Sequence, residues 1–475
     1  MGKVDTSSAV PPHKRKRGKE RVSKEEKEKE VKRRAAIKEA KKEGKAAYSM
    51  GVRDDEFKWT NDVLRQAVLW GDALPVTRVR TPEFYGAYVH PKRAMMFMLG
   101  ILKKKGMLNF WKPGKASMNV WVDNCGMDVQ GDGDVPGVQI DRHTSKGTHI
   151  RVHNERITLT PLDAAIEVVQ DTLMTFPVFN SFSGENHHTL KCIFELLEFS
   201  NITEVAGIPI EYYCSVDKHA LDALLQFYGD LLSLTDHPPG SLIRWVPWKN
   251  VMWDPDHHGP CTFGYMMDAT YNCATNPGMF VAEVRKQHKL LKKWDYGERL
   301  LWSKLKVVIG WAKDANLKSM AKLKVTIRKT CDPARVDSCL EIVNCYLKMT
   351  YALNCQQPTQ KQLAGMADWG ATMEREFHKV TNGAVPNAVL IWCRKQPVWL
   401  LEHKTLYRLR TEGRERAHQR DRESVKHSTQ LVDTKITQNT GDVQIERNVI
   451  KEWSMWAEGV HSPINKSMRK RANTV

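Results

Sequence analysis

The densest run of chemically capable side chains is Asp254-Pro255-Asp256-His257-His258-Gly259-Pro260-Cys261. Carboxylate, imidazole and thiol groups this close together are the donors that a divalent ion such as Zn²⁺ takes. Pro255, Gly259 and Pro260 explain the same stretch as a polar turn between strands, and no metal or cofactor is expected on it. The pair His187-His188 is a weaker candidate. A nuclease or transposase whose acids are scattered leaves no local signature; for such an enzyme Asp254, Asp256 and Asp268 are the candidate acids.

Other catalytic signatures are missing. Gly114-Lys115-Ala116-Ser117 has a lysine but neither the upstream glycine nor the adjacent hydroxyl of a phosphate-cradling loop. Gly131-Asp132-Gly133 runs into Asp134, Val135 and Pro136, so no dinucleotide fingerprint forms. No two histidines flank a single bulky apolar residue as a rolling-circle nickase requires, and His149 and His153 would stand about 13 Å apart along a strand.

Basic side chains form the other candidate site. Residues 1–47 hold 17 Lys/Arg against 8 Asp/Glu, a net of +9 out of +18 for all 475 residues. Half the excess in a tenth of the chain points to a polyanionic partner, because a merely solvated helix tends to balance its signs. His13-Lys14-Arg15-Lys16-Arg17 suits both nuclear import receptors and phosphates. Lys14, Arg15, Lys16, Arg17, Lys19, Lys32, Arg33, Arg34, Lys41 and Lys42 are the expected contacts to nucleic acid. Arg285, Lys286, Lys289, Lys292 and Lys293 line a predicted helix followed by Trp294 and Tyr296, and are secondary phosphate contacts.

The elements behind these residues divide the chain into three. Residues 1–50 read as a basic arm, with a Ser23/Glu26 capping box and i,i+4 pairs such as Glu20/Lys24 but no apolar stripe. Residues 51–402 read as a β-rich body and 403–475 as a basic C-terminal extension with an anchor at Val449, Ile450, Trp453, Met455 and Trp456. A helix is predicted over 55–71. Strands are predicted at Ile150–Val152, Ile157–Leu159, Leu305–Val307, Leu323–Ile327, Ile342–Met349 and Val389–Cys393. Helices are predicted near 162–173, 217–233 and 276–293. Irregular alternation disfavours repeating βαβ units and favours an antiparallel sandwich or barrel with helical insertions. The ten cysteines include no CxxC pair and read as reduced thiols of a cytosolic or nuclear protein. The longest apolar run, Ala94 to Leu102, is too short to span a bilayer. The N-terminus lacks the apolar stretch of a secretory signal.

Gly131 to Pro161 holds a Gly/Asp-rich turn, the string Arg142 to Thr148, and alternating strands His149–Val152 and Arg156–Thr160. It resembles a segment of the capsid proteins of small circular single-stranded DNA viruses, although Lys146-Gly147-Thr148 replaces the usual Arg-apolar-Gly pattern. Phe263 to Ile309 is similar to a second segment: a strand (Phe263–Met267), the turn Asp268-Ala269-Thr270, a helix near Asn276-Pro277 and a strand (Leu300–Ile309). The resemblance implies a mainly β, eight-stranded jelly roll that self-assembles into an icosahedral shell, with the arm pointing inward onto a genome that is DNA in that family. It implies a non-enzymatic structural protein found in virions and the host nucleus, with homo-oligomeric, nucleic-acid and import-receptor partners and no membrane span. The alternative is a nuclear DNA-acting enzyme, a transposase or nuclease with a dispersed carboxylate site.

Overall fold

The computed structural model describes residues 74–131, 140–143, 149–166, 168–170, 172–182, 186–287, 317–415, 417, 430–432, 435–438, 445 and 453. The basic arm and the helix expected over 55–71 lie outside these residues, as do Leu305–Val307 and Leu300–Ile309.

The sheet is built around two long strands, β3 (Ala116–Gly131) and β5 (His149–Pro161), paired antiparallel from Met118↔Pro161 to Gln130↔His149. Their alternation brings buried Val120 opposite Leu159 and Val122 opposite Ile157, so the pair specifies its own register. On the far side of β5 follow β6 (Phe176–Ser181), β2 (Tyr85–Tyr88) and β1 (Thr77–Arg80), all antiparallel, while β4 (Ile140–His143) pairs with β5. On the other side of β3 the directions change. β8 (Ile208–Val216) runs parallel to β3, and β9 (Val251–Trp253) runs parallel to β8. A two-residue strand, β7 (Glu204–Val205), forms a hairpin with β8. Two short strands, β10 (Gln430–Val432) and β11 (Lys435–Gln438), attach at the end of β3. The result is a curled, mixed sheet.

Helices lie between several of the strands, and one of them makes a parallel connection. α1 (Pro91–Lys104) packs on β5 and β6. α2 (His187–Leu197) lies between β6 and β7, and α3 (Lys218–Leu225) joins β8 to β9. Beyond β9 the chain is helical: α4 (Pro255–Asn272), α5 (Pro277–Gln287), α6 (Leu317–Thr330), α7 (Pro333–Leu353), α8 (Gln360–Val380) and α9 (Asn387–His403). These helices bury a second apolar core, separate from the one under the sheet, around Phe263, Tyr346, Met366, Phe377 and Trp392. A side chain on Gly370 of α8 would collide with the Cys393 carbonyl of α9, so glycine sets that close crossing.

A sheet with helical insertions is therefore present, but among the described residues helix outweighs strand, and part of the sheet is parallel. Four segments expected as strands are helical: Phe263–Met267, Leu323–Ile327, Ile342–Met349 and Val389–Cys393. Short apolar or β-branched runs satisfy both periods, and the flanking burial decides. Met320, Leu323 and Ile327 are buried at helical spacing while Val325, which strand alternation would put beside Leu323, is exposed. The segment 162–173, expected as a helix, is turns ending in a short 3₁₀ helix at Thr172–Met174. The Asp163 carboxylate accepts the backbone N–H groups of Trp111 (2.9 Å) and Ser117 (2.6 Å), which ties the chain down before a helix can start. Among the described residues no helix is long and apolar enough to cross a membrane.

Candidate active site at the carboxyl ends of the parallel strands

Ligands of open sheets with parallel strands bind beyond the strands' carboxyl ends, where the connections diverge. β8 and β9 each run into an acid at that end, and β3 carries one midway, just past the stretch that pairs with β8. Asp123 lies within β3, Asp217 directly follows β8, and Asp254 directly follows β9. β3 and β8 pair in parallel up to Asn119↔Tyr213, and four more residues in the same register bring Asp123 level with Asp217. Both trailing acids are held by helix starts. Asp217 is the N-cap of α3, accepting from Ala220 N at 2.8 Å, and Asp254 caps α4, accepting from His257 N at 3.1 Å with Pro255 in the first turn. The order strand, Asp, helix thus fixes each carboxylate at the sheet edge. Asp123 faces buried Arg156 across the antiparallel pair with β5.

A fourth acid returns from far along the chain. Residues 404–415, expected as the start of a basic extension, fold back with Leu406 and Leu409 in the helical core and Arg408 and Arg414 buried. Arg408 donates to the carbonyls of Leu162 (2.6 Å) and Ala164 (2.5 Å). Arg410 pairs with Asp256 at 2.9 Å, and the same carboxylate accepts Thr411 N and Glu412 N, each at 3.1 Å. Thr411 Oγ1 donates to Asp254 Oδ2 (2.7 Å). His257 completes the closure: Nδ1 donates to Asp254 Oδ2 (2.8 Å) and Nε2 to Glu415 Oε1 (3.0 Å). An imidazole thus bridges an acid from the β9–α4 junction and one from residue 415.

The charges are strongly coupled. Burial works against a charged His257, but the carboxylates of Asp254 and Glu415 prevail and hold its pKa well above the ordinary value. Burial likewise pushes Asp254 up, and His257, Thr411 and Arg414 together bring it below the usual carboxylate range. Asp256 is raised by burial and by the Asp254 charge despite Arg410. Asp217 is raised, first by burial; the negative charge of Asp123 adds to this, while the Ala220 N–H and His257 oppose it. Asp217 thus feels the charges of Asp123 and His257, and His257 those of Asp254 and Glu415.

Of the residues predicted from sequence, Asp254, Asp256 and His257 meet in this site. They open a helix instead of lying in a turn between strands. The rest of that run disperses. His258 stacks on Trp253 (3.8 Å between centroids) and bonds to the Ala388 carbonyl and Gln396, and burial drops its pKa to about 3. Burial pushes the Cys261 thiol up to about 11. Asp268 is fourteen residues along α4 from Asp254, about 21 Å of helix rise, and takes no part. His187 bonds to the Ala223 carbonyl (3.0 Å). Lys286 is exposed on the last turn of α5, which also carries Arg285, whereas Lys289, Lys292 and Lys293 lie outside the described residues, as do all ten arm positions from Lys14 to Lys42. Asp123, Asp217 and Glu415 escaped sequence reasoning. Asp217 alone had a signal, an acid closing the apolar run Tyr212–Val216 directly before a helix.

Among the described residues no group of three or more His, Cys, Asp or Glu side chains is placed to hold a metal ion. Mg²⁺ rarely uses such a group: it is typically held by one or two carboxylates, waters and substrate phosphate oxygens. Asp123 and Asp217, level in the register of β3 and β8, are oxygen donors of the class that a hard cation of that kind takes. No protein-family model matches this chain, and no curated protein matches it.

Proposed function

We propose that the chain is a DNA-acting phosphoryl-transfer enzyme, a nuclease or transposase, with Asp123, Asp217 and Glu415 as its dispersed carboxylates. Two observations carry this reading in a chain of net charge +18: His257 bridges Asp254 and Glu415 at the end of β9, and the register of β3 with β8 sets Asp123 level with Asp217. Asp123 and Asp217 would hold the cation, with Glu415 beside them. A bound Mg²⁺ would activate the attacking water or hydroxyl and stabilise the leaving oxygen. His257 orients Glu415 through Nε2 and is itself oriented by Asp254. Arg414, buried beside these carboxylates, lowers the cost of gathering negative charge before substrate arrives. The positive excess draws the phosphate backbone toward an acidic centre that would otherwise repel it. The test is cleavage or strand transfer on single- and double-stranded DNA with Mg²⁺ or Mn²⁺. Activity that is cation-dependent and absent from Asp217→Asn supports the reading; a variant as active as the parent refutes it.

A shell protein is the second reading, favoured by the net +9 of residues 1–47. A flexible cationic arm would neutralise packaged phosphates without reading sequence. It calls for a jelly roll, whose strands are antiparallel, and the parallel trio β3, β8 and β9 speaks against that. Megadalton particles under negative stain would favour the shell; a discrete small species would remove it.

A further inference from the structure

The amino ends of the same strands carry a chemistry opposite to that of their carboxyl ends. Lys112, Lys115 and Lys249 line a cavity of about 310 Å³ together with Ile210, Glu211, Tyr212, Trp245 and Pro247. This is at the lower end of the range for small-ligand sites. Lys112 and Lys115 are brought together by a tight turn over Pro113 and Gly114, where Gly114 has φ +69° and the two lysines form an isolated bridge. Lys249 arrives from the short 3₁₀ turn Trp248–Asn250 that precedes β9.

The one carboxylate in the wall is already saturated with donors. Glu211 takes Lys115 Nζ (3.2 Å) on one oxygen, and Asn250 Nδ2 (3.2 Å) and the Tyr213 hydroxyl (3.3 Å) on the other. Lys249 pairs with Glu402 (2.8 Å), and Lys112 sits over the Trp111 ring at 5.0 Å. An ammonium has three N–H donors, so one partner each leaves Lys115 and Lys249 able to bind an anion. Trp245 adds an aromatic wall, held in place by Phe199 stacked on it (5.2 Å, 8°) and by the edge of Tyr212 (4.7 Å).

We propose that this cavity binds a nucleotide, its phosphate on Lys112, Lys115 and Lys249 and its base against Trp245. Three ammonium groups against the two carboxylates Glu211 and Glu402 leave a positive excess that selects an anion, and an immobilised indole beside them selects a flat ring. The ligand is either a free nucleotide or one nucleotide of a strand, since both offer the same phosphate and base. The site is separate from the acids: Lys115 and Asp123 are eight residues apart on one strand, about 26 Å. It holds whether or not the acids are catalytic.

Calorimetry on the full chain would use dAMP, deoxyribose 5-phosphate and a short oligo-dA as probes. The expected results are binding of dAMP at least fivefold tighter than of deoxyribose 5-phosphate, and at least tenfold weakening of dAMP by Lys112→Glu/Lys115→Glu. Trp245→Leu should remove the preference for dAMP over the sugar phosphate. Asp217→Asn should bind dAMP as the parent does even if it ends all DNA cleavage, which separates this proposal from the active-site reading. Oligo-dA binding that follows the same variants identifies a strand as the source; dAMP binding alone identifies the free nucleotide. Amine labelling of the unmodified protein checks the result without relying on a variant's folding: saturating dAMP should protect Lys112, Lys115 and Lys249 but not Lys286. Unchanged dAMP affinity in the double lysine variant, or equal labelling with and without dAMP, overturns the proposal.

Discussion

The carboxyl and amino ends of β3, β8 and β9 differ in how their charged groups are held. At the carboxyl ends, Asp254 and Arg414 are buried and Asp256, Arg410 and His257 largely so, each with several partners from residues 254–257 and 404–415. At the amino ends Lys115 and Lys249 are more than half exposed and hold one ion-pair partner each. Buried charge is costly to gather and costly to disturb, so it marks a place where geometry must be kept. Exposed ammonium groups cost little and can rearrange around a ligand. The first end suits chemistry at fixed atoms, the second suits capture of an anion.

The sharpest way to break this contrast is Asp217→Asn. Asparagine retains the N-cap of α3, so stability should change little, whereas the proposed DNA cleavage should fall by about a thousandfold or more, roughly 4 kcal/mol in the barrier. Circular dichroism melts alongside a cleavage assay read both. A large loss of stability with retained activity would make Asp217 purely a cap.

Next in size is Arg410→Ala. It strands Asp256, which keeps only two backbone N–H donors beside the charge of Asp254. Breaking a buried pair in this way costs about 3 kcal/mol, read from denaturant melts. Asp256→Asn/Arg410→Ala should recover part of the loss, because it removes the orphaned charge along with its partner.

The return of residues 404–415 should also depend on pH. The folded pKa of His257 is raised, so its contribution is fully present below about pH 6.5 and is lost as pH rises through the folded value. Asp254 is lowered, so its contribution is present above about pH 3.8 and is lost as pH falls through its folded value. Between those limits Thr411 N and Glu412 N should exchange most slowly with deuterium, after correction for intrinsic rates, and protection should decline on the alkaline side. His257→Gln should flatten that decline. An equal decline in the variant would assign it to Asp256 or Asp217 instead, whose folded values are also raised.

The sequence exposed these regions unequally. Alternation located β5 through Ile150–Val152 and Ile157–Leu159, because one face of that strand meets a core at period two. It failed for Leu323–Ile327 and Ile342–Met349, where a five- to eight-residue apolar run suits either period and only the second core selects helix. Asp254, Asp256 and His257 were visible because they cluster locally. Asp123, Asp217 and Glu415 were not, because what unites them is the parallel register of β3 with β8 and a return of the chain after a helical insertion of about 150 residues. No local spacing encodes that contact. The lysine cavity was obscured for the same reason: Lys115 and Lys249 are neighbours only because β8 lies between β3 and β9.

The smallest expected effect tests whether the amino ends are as lightly built as they look. Lys115 is 52% exposed and its partner Glu211 keeps Asn250 and Tyr213 when the lysine is removed. An exposed ion pair of this kind contributes about 0–1 kcal/mol, and the surviving donors keep Glu211 from being stranded. Lys115→Ala should therefore shift the denaturation midpoint by less than about 0.5 kcal/mol in equivalent free energy while weakening nucleotide binding measurably. Should it destabilise the protein as much as Arg410→Ala does, the amino-end charges would be structural pillars like those at the other end, and exposure would have misled. Should stability hold and affinity fall, the amino-end lysines serve a ligand and not the fold, in contrast to the buried charges at the other end.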